Sequence, residues 1–355
     1  MEKIVIHRRG GYDRLRLERH VVPPLGAHDV HVRVHAAGMN YADCIVRMGL
    51  YSSAKEYVGW PITPGFEIAG TIVRTGEAID DLPVGTEVIG LTRFGGYASD
   101  VVLPRRQVFP RPRGLSMEQA AAFPAVHLTA YHALCELARP KLGAHVLVHS
   151  AAGGVGSALV QIARLLGCHV VGVVGGSHKV EVAAGFGAHA VIDTSREPLW
   201  PAAEAYAPAG YDVILDANGI STLGESLRHL APMGRLVVYG FASMLPRGGT
   251  GRLRWLSLLW NFLRTPRISP FELTQKNRSV MGFNLSYLFD HAKLLADSMD
   301  QLTRWVEDGA LRSLPVRSFP LAQAGEAQRL LEGGSTVGKL VLVPESIGVG
   351  EGARR

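Results

Sequence analysis

The chain has 355 residues, 47% of them hydrophobic, which is enough to bury the cores of two compact domains. Its 41 glycines follow no fixed period, and this excludes a fibrous or linker-like protein. The net charge of +6 arises from short basic clusters such as residues 7–9, without a zinc-finger or RNA-binding signature, so we expect no nucleic-acid partner.

The first 123 residues have the pattern of a β-rich domain. Residues 29–36 alternate strictly, with Val30, Val32 and Val34 on one face, as in a half-buried antiparallel strand. Further short strands are predicted at residues 68–74, 87–91 and 97–103, with glycine and proline between them. We therefore predict a β-rich domain over residues 1–123.

After Pro124 the pattern changes to alternating strands and helices. A helix at residues 128–137 is followed by nearly continuous apolar strands of the kind that parallel sheets bury on both faces. The strands are predicted at residues 144–150, 169–174, 190–193, 212–216, 235–239 and 279–283. This order predicts an α/β fold with a doubly wound parallel sheet over residues 124–284. Residues 285–355, with helices near 294–309 and 322–332 and a last strand at 339–343, are predicted to return to the first domain.

Residues 150–156 (SAAGGVG) follow a buried strand and precede a helix, which is where a dinucleotide fingerprint belongs. Gly153 lets the backbone approach a pyrophosphate, and Gly156 allows close packing of the helix on the sheet. Backbone N–H groups at the start of a helix bind phosphate. We expect these groups to come from Ala152, Gly153, Gly154 and Val155.

The end of the next strand indicates which dinucleotide binds. NAD-binding folds usually carry an acidic residue there for the ribose 2′-OH, but this strand continues from Gly175 to Lys179 without one. Ser177 offers a hydrogen bond to a 2′-phosphate and Lys179 an opposing charge. The sequence therefore predicts that the cofactor is NADP(H).

The chain resembles the quinone oxidoreductase branch of the medium-chain dehydrogenase/reductase superfamily, and within it the vesicle amine transport protein type. The resemblance extends almost from end to end. It is carried by the segments GMNYADCIVRMGLY (38–51), PGFEIAG (64–70), LTAYHAL (128–134), HSAAGGVG (149–156), PMGRLVVYG (232–240), MGFNLSYL (281–288) and VGKLVLVP (337–344).

The resemblance implies a GroES-like, β-rich catalytic domain beside a Rossmann domain, and NADPH-dependent reduction of a quinone or an α,β-unsaturated carbonyl compound. By position, Asn40 and Tyr51 would face the nicotinamide and the substrate and act as the catalytic residues. Further cofactor contacts are implied for Thr129, Gly153–Val155, Ser177, Lys179, Asn218, Tyr239, Phe283 and Asn284. Thr194 stands where many relatives have a tyrosine near the 2′-phosphate.

Zinc alcohol dehydrogenases share this fold, but the zinc ligands are missing from the sequence. Asn40 stands in place of the first cysteine ligand, and Phe66 in place of the histidine of the G-H-E motif. Glu67 alone cannot hold zinc, and none of the three cysteines belongs to a C-x-x-C pair. We therefore expect no metal site, and we expect hydrogen bonds from Asn40, Tyr51 or water to polarise a conjugated acceptor.

Two other functional classes remain open from the sequence. Residues 247–267 combine arginines with Trp255, Trp260 and Phe262, a composition typical of membrane-surface helices but also of clefts and dimer interfaces. A protein of this class would bind lipid with little turnover. The same fold also supports a stand-alone enoyl reductase acting on a thioester-linked substrate.

Location and assembly are predicted from weaker signals. The N-terminus lacks the apolar core of a signal peptide, and the longest apolar run is about half the roughly 20 residues that a membrane span needs, so we expect a cytoplasmic protein. Residues 279–283 are predicted to form an exposed edge strand. Pairing of this strand with its copy would give a homodimer.

Overall fold

The computed structural model describes residues 1–244 and 265–345. Strands are numbered here in chain order. They are β1 (Glu2–Val5), β2 (Arg16–Arg19), β3 (Asp29–Met39), β4 (Glu67–Thr75), β5 (Glu87–Leu91), β6 (Asp100–Pro104), β7 (Val108–Pro110), β8 (His145–Val148), β9 (His169–Val174), β10 (Ala190–Asp193), β11 (Tyr211–Asp216), β12 (Leu230–Val238), β13 (Ser279–Gly282), β14 (Val316–Pro320) and β15 (Lys339–Val343).

Helices among the described residues are numbered in the same way. They are α1 (Tyr41–Arg47), α2 (Ser52–Tyr57), α3 (Met117–Ala121), α4 (Pro124–Tyr131), α5 (Gly154–Leu165), α6 (Val180–Gly185), α7 (Leu199–Tyr206), α8 (Leu223–Arg228), α9 (Pro270–Lys276), α10 (Ala292–Glu307) and α11 (Ala324–Glu332). Helix α4 continues directly into a π-helical segment, His132–Ala138.

The second sheet along the chain has six parallel strands in the order β10-β9-β8-β11-β12-β13. Its central strands are rich in valine, isoleucine and leucine and are buried, as expected where helices cover both faces of a sheet. The strand order reverses between β8 and β11, and ligands of such sheets bind beyond the carboxyl ends of the strands at this switch point. The glycine-rich segment after β8 lies there.

The other large sheet is mostly antiparallel and follows the order β14-β15-β3-β4-β5-β7, with β6 paired to β3. Strand β15, from the end of the described chain, pairs with β3, so Leu340 lies opposite Met39. An apolar core forms beneath this sheet and includes Val30, Ile68 and Leu342. Strand β15 thereby brings its first residue, Lys339, close to the start of α1.

The α/β fold class predicted from the sequence is confirmed, and β13 is the edge strand of the parallel sheet. The boundaries at residues 123 and 284 stay a prediction. Within residues 285–345 the strands join the antiparallel sheet, whereas α10 packs on α4 and buries Leu295, Met299 and Leu302 in the core shared with β8. Among the described residues, no helix has both the length and the apolar character required to span a bilayer.

Candidate active site

The glycine-rich turn joins β8 to α5 and is held by backbone hydrogen bonds. The N–H of Gly153 donates to the carbonyl of Ser150 at 3.0 Å, and the N–H of Ala151 donates to Val173 of the neighbouring strand at 2.9 Å. Helix α5 begins at Gly154, and the first N–H groups of a helix have no partner within it. The turn therefore presents backbone donors at the carboxyl edge of the sheet, which is the arrangement that binds phosphate.

The glycines of this turn differ in what surrounds them. A Cβ atom at Gly156 would lie 2.1 Å from the Ser150 carbonyl oxygen, so this glycine is required for packing. A Cβ at Gly153 would meet only that same oxygen, at 3.3 Å. The space in front of Gly153 is left to a ligand, and the cradle fits a pyrophosphate.

Where the adenosine end of the cofactor is predicted to bind, Ser177 is part of a charged cluster. Its hydroxyl donates to Asp193 Oδ2 at 2.6 Å and accepts a hydrogen bond from Arg196 Nε at 2.8 Å. The Arg196 side chain is 77% exposed, so it is accessible to a ligand. Hydrogen bonds from Ser177 and Ser195 hold the pKa of Asp193 below its usual value. The carboxylate is therefore ionised, and Arg196 supplies the opposing charge beside it.

Lys179 and His178 connect this cluster to the loop before β15. Lys179 Nζ donates to the carbonyl of Gly334 at 2.5 Å, and His178 Nε2 donates to that of Ser335 at 3.1 Å. A Cβ at Gly175 would meet no atom within 4 Å, so the space beside that residue is open. Lys179 thus already carries a bond between the two parts of the chain, and its contact with a 2′-phosphate stays a prediction.

Of four further predicted cofactor residues, Asn218, Tyr239 and Phe283 follow strands of the parallel sheet, and Thr129 lies in α4. Asn218 accepts a hydrogen bond from Ser150 Oγ at 3.1 Å, which places it beside the glycine-rich turn. The buried hydroxyl of Tyr239 has no hydrogen-bond partner among the described residues, and such a group favours a polar ligand. Thr129 donates to Ala125, and Phe283 lies against the ring of His132; their contacts with a cofactor stay a prediction.

Asn40 lies in a closely bonded cluster between the two sheets. Lys339 Nζ donates to Asn40 Oδ1 at 2.8 Å and to Glu67 Oε1 at 2.7 Å. Asn40 Nδ2 donates to the same Glu67 oxygen at 2.8 Å. A Cβ at Gly154 would lie 2.8 Å from Lys339 Cδ, so the lysine side chain also touches the glycine-rich turn. Asn40 is therefore adjacent to the predicted cofactor site.

Tyr51 is the second predicted catalytic residue. Its hydroxyl donates to Asn284 Oδ1 at 2.9 Å, and its ring makes edge contacts with Phe66 and Phe94 at 5.6 and 6.3 Å between centroids. Burial raises the pKa of Tyr51 above its usual value. The hydroxyl therefore keeps its proton, and the three rings form an aromatic cluster.

The residues at this position do not fit a zinc ion. Both Glu67 oxygens accept hydrogen bonds, from Lys339, from Asn40 and from the N–H of Ala125 at 2.7 Å. An ammonium group within 2.7 Å of the one carboxylate opposes a second cation there. Across the described parts of the chain, no three histidine, cysteine, aspartate or glutamate side chains converge on one point.

Sequence reasoning missed four residues of this site, namely Glu67 as a hydrogen-bonding partner, Lys339, Asp193 and Arg196. A signal for Lys339 was present, because a lysine opens the otherwise apolar strand KLVLV. Asp193 ends β10 and Arg196 follows it, whereas the prediction of NADP(H) rested on the residues after β9. Of the segment 247–267, which was considered as a membrane-surface helix, residues 247–264 lie outside the described residues.

Two family models match the chain. Residues 26–113 match the alcohol dehydrogenase GroES-like domain, and residues 186–342 match the model described as zinc-binding dehydrogenase. Among curated proteins, the synaptic vesicle membrane protein VAT-1 homolog of Rattus norvegicus is 33% identical, over 94% of this chain and 82% of that protein. A 2-haloacrylate reductase of Burkholderia sp is 31% identical, over 96% of this chain and 98% of that protein.

Solved structures share the fold over nearly the whole chain. The quinone oxidoreductase of Escherichia coli, whose crystal structure contains NADPH, superimposes with a TM-score of 0.84 at 26% identity. The superposition covers 97% of this chain and 100% of that one. The two-domain arrangement described above is therefore one that is found with NADPH bound.

Proposed function

Because the chain belongs to the medium-chain dehydrogenase/reductase family, in its zinc-free quinone oxidoreductase and VAT-1 type, we propose that it is an NADPH-dependent oxidoreductase. Its acceptor is a quinone or an α,β-unsaturated carbonyl compound. The observation that carries the proposal is the position of Lys339, which touches Gly154 of the phosphate-binding turn and donates to Asn40. A substrate bound at Asn40 lies next to the cofactor.

NADPH, when bound, supplies the hydride. Its pyrophosphate fits the turn at Gly153, where backbone N–H groups are available, and Tyr239 has a buried hydroxyl that no described residue binds. Its 2′-phosphate fits Ser177 and Arg196, with Lys179 nearby. The related quinone oxidoreductase and its NADPH support this assignment of the cofactor.

A conjugated acceptor suits the groups that surround it. Without a metal, the negative charge that develops on the acceptor oxygen must be stabilised by hydrogen bonds, and Asn40 provides a neutral N–H donor. Tyr51 donates its proton to Asn284 and burial raises its pKa, so we assign it no role as a dedicated acid, and the proton comes from solvent. The cluster of Tyr51, Phe66 and Phe94 is aromatic, with the rings inclined edge to face, and aromatic side chains favour contact with the ring or the conjugated system of an acceptor.

Support for this acceptor class comes also from the related 2-haloacrylate reductase, whose name specifies a conjugated acid. The test is consumption of NADPH by the purified chain with a panel of quinones, alkenals and enoyl thioesters. We expect turnover with quinones or alkenals, and lower kcat for the variant Asn40→Ala with an unchanged Kd for NADPH. Turnover with the thioesters alone would assign the chain as an enoyl reductase, and binding to anionic liposomes without any turnover would overturn the proposal.

A further inference from the structure

Two buried charges lie behind Asn40, and the chemistry described above does not itself use them. Glu67 is fully buried and the Lys339 side chain is 4% exposed. Burying a carboxylate and an ammonium is costly unless the two are paired and their remaining hydrogen-bonding positions are filled. Such a pair at the base of a cleft therefore calls for a role beyond filling space.

The hydrogen bonds of both groups are complete. Lys339 Nζ donates to Asn40 Oδ1, to Glu67 Oε1 and, at 2.6 Å, to the carbonyl of Met39, which uses all three of its protons. Glu67 Oε2 accepts from the N–H of Ala125. A Cβ at Gly38 would lie 2.4 Å from Glu67 Oε1, so the strand that carries Asn40 approaches the carboxylate as only glycine allows.

This arrangement fixes which way the Asn40 amide points. An ammonium group can only donate and a carboxylate can only accept, so the amide oxygen must face Lys339 and the amide nitrogen must face Glu67. The reversed amide would place two donors together and two acceptors together. The Asn40 main chain is held as well, because its N–H donates to Asp43 Oδ2 at 2.8 Å.

We infer that Lys339 and Glu67 are positioning residues that hold the half-buried Asn40 amide with one N–H free for substrate. That second proton of Nδ2 has no partner among the described residues, while the amide oxygen is taken by Lys339. The side chain therefore presents a donor and selects an acceptor atom, such as a carbonyl or quinone oxygen. This inference rests on the proposed function and extends it to the orientation of one catalytic group.

The test is a mutant cycle that compares turnover and stability. Glu67→Gln, Lys339→Met and the double variant are each made in the wild-type chain and in the Asn40→Ala chain. If the pair acts through Asn40, each change lowers kcat for the quinone by about tenfold to a hundredfold in the wild-type chain but has little further effect after Asn40→Ala.

Melting temperatures distinguish a positioning role of the ion pair from an effect on folding. The double variant removes both charges, so its melting temperature recovers relative to Lys339→Met, while its kcat stays low. Glu67→Gln changes little volume, and the double variant, which leaves neither charge without its partner, carries the test if a single variant does not fold. The matched control is Arg47→Met with Glu332→Gln, an equally buried ion pair whose partners do not include Asn40; it lowers the melting temperature and leaves kcat intact.

Each failure has its own signature. If the wild-type chain turns over no acceptor, the proposed function fails and this inference fails with it. If the chain is active but Asn40→Ala retains full kcat, or if the losses from the pair add to that of Asn40→Ala, the reductase assignment stands and the positioning role is wrong.

Discussion

Replacing Arg196 by alanine should weaken the binding of NADPH and leave the binding of NADH unchanged. The guanidinium donates to Ser177 at 2.8 Å and lies 3.9 Å from Asp193 Oδ2, so it is the cation that balances an ionised carboxylate at this end of the cleft. Without it, a 2′-phosphate would meet the Asp193 charge unopposed. NADH lacks that phosphate and serves as the internal reference.

The expected size of the effect follows from the exposure of the side chain. At 77% exposure the interaction is screened by water, and exposed ion pairs contribute about 0.2–1 kcal/mol. A charge-assisted bond to a doubly charged phosphate is roughly twice as strong as a neutral one, so we expect about 1–1.5 kcal/mol. This corresponds to an increase in Kd of about five- to tenfold.

Isothermal titration with 2′,5′-ADP and with 5′-AMP, which lacks only the 2′-phosphate, measures this without any turnover. We expect the variant to lose affinity for 2′,5′-ADP only, and the loss to shrink at high salt. Arg228→Ala is the matched control, because Arg228 is 68% exposed and pairs with Glu225 on its own helix. Equal preference for the 2′-phosphate in the wild type and in Arg196→Ala would refute the role of Arg196.

The remaining predictions concern the turn, one histidine and the assembly. Gly153→Ala should keep the melting temperature of the wild type but weaken NADPH binding at least tenfold. Gly156→Ala should unfold the domain, because its Cβ would lie 2.1 Å from a carbonyl oxygen. Equal effects of the two variants in thermal melts and in NADPH titrations would contradict this. Burial lowers the pKa of His127 from 6.5 to about 4, so the folded chain binds fewer protons than the unfolded one in that window and stability is lost as the pH falls through it. The free energy of unfolding of His127→Phe, relative to that of the wild type, should therefore rise by up to about 3 kcal/mol as the pH falls from neutral to 4. Urea unfolding at each pH measures it, and a difference that does not change with pH would contradict the prediction. Pairing of β13 with its copy predicts a particle of twice 38.3 kDa by light scattering, and a monomer would count against it.

Much of the parallel-sheet domain could be predicted because its strands carry their own signal. The bounds of β9 and β10 match the predicted runs, since the strands of such a sheet are nearly continuous apolar segments ended by glycine or charge. The predicted helix at residues 128–137 is instead α4 followed by the π-helical segment His132–Ala138. Apolar spacing reports that a stretch is helical, but not a change in its hydrogen-bond register.

The charges of the site could not be predicted in the same way, because they meet across the fold. Glu67 and Lys339 are 272 positions apart and become neighbours only when β15 pairs with β3. No acidic residue follows β9 before Ser177, whereas Asp193, which accepts a hydrogen bond from Ser177, comes from the adjacent strand β10. Pairing between strands decides both contacts, and no local pattern encodes it.

We propose that hydride passes from NADPH to a conjugated acceptor without a metal. The decisive experiment gives the chelator-treated chain NADPH carrying deuterium at the transferred position, together with an alkenal, and analyses the product by mass spectrometry. We predict undiminished turnover and one deuterium bound to carbon in the reduced product. A product without deuterium, or activity that disappears on chelation and returns with zinc, would contradict the account.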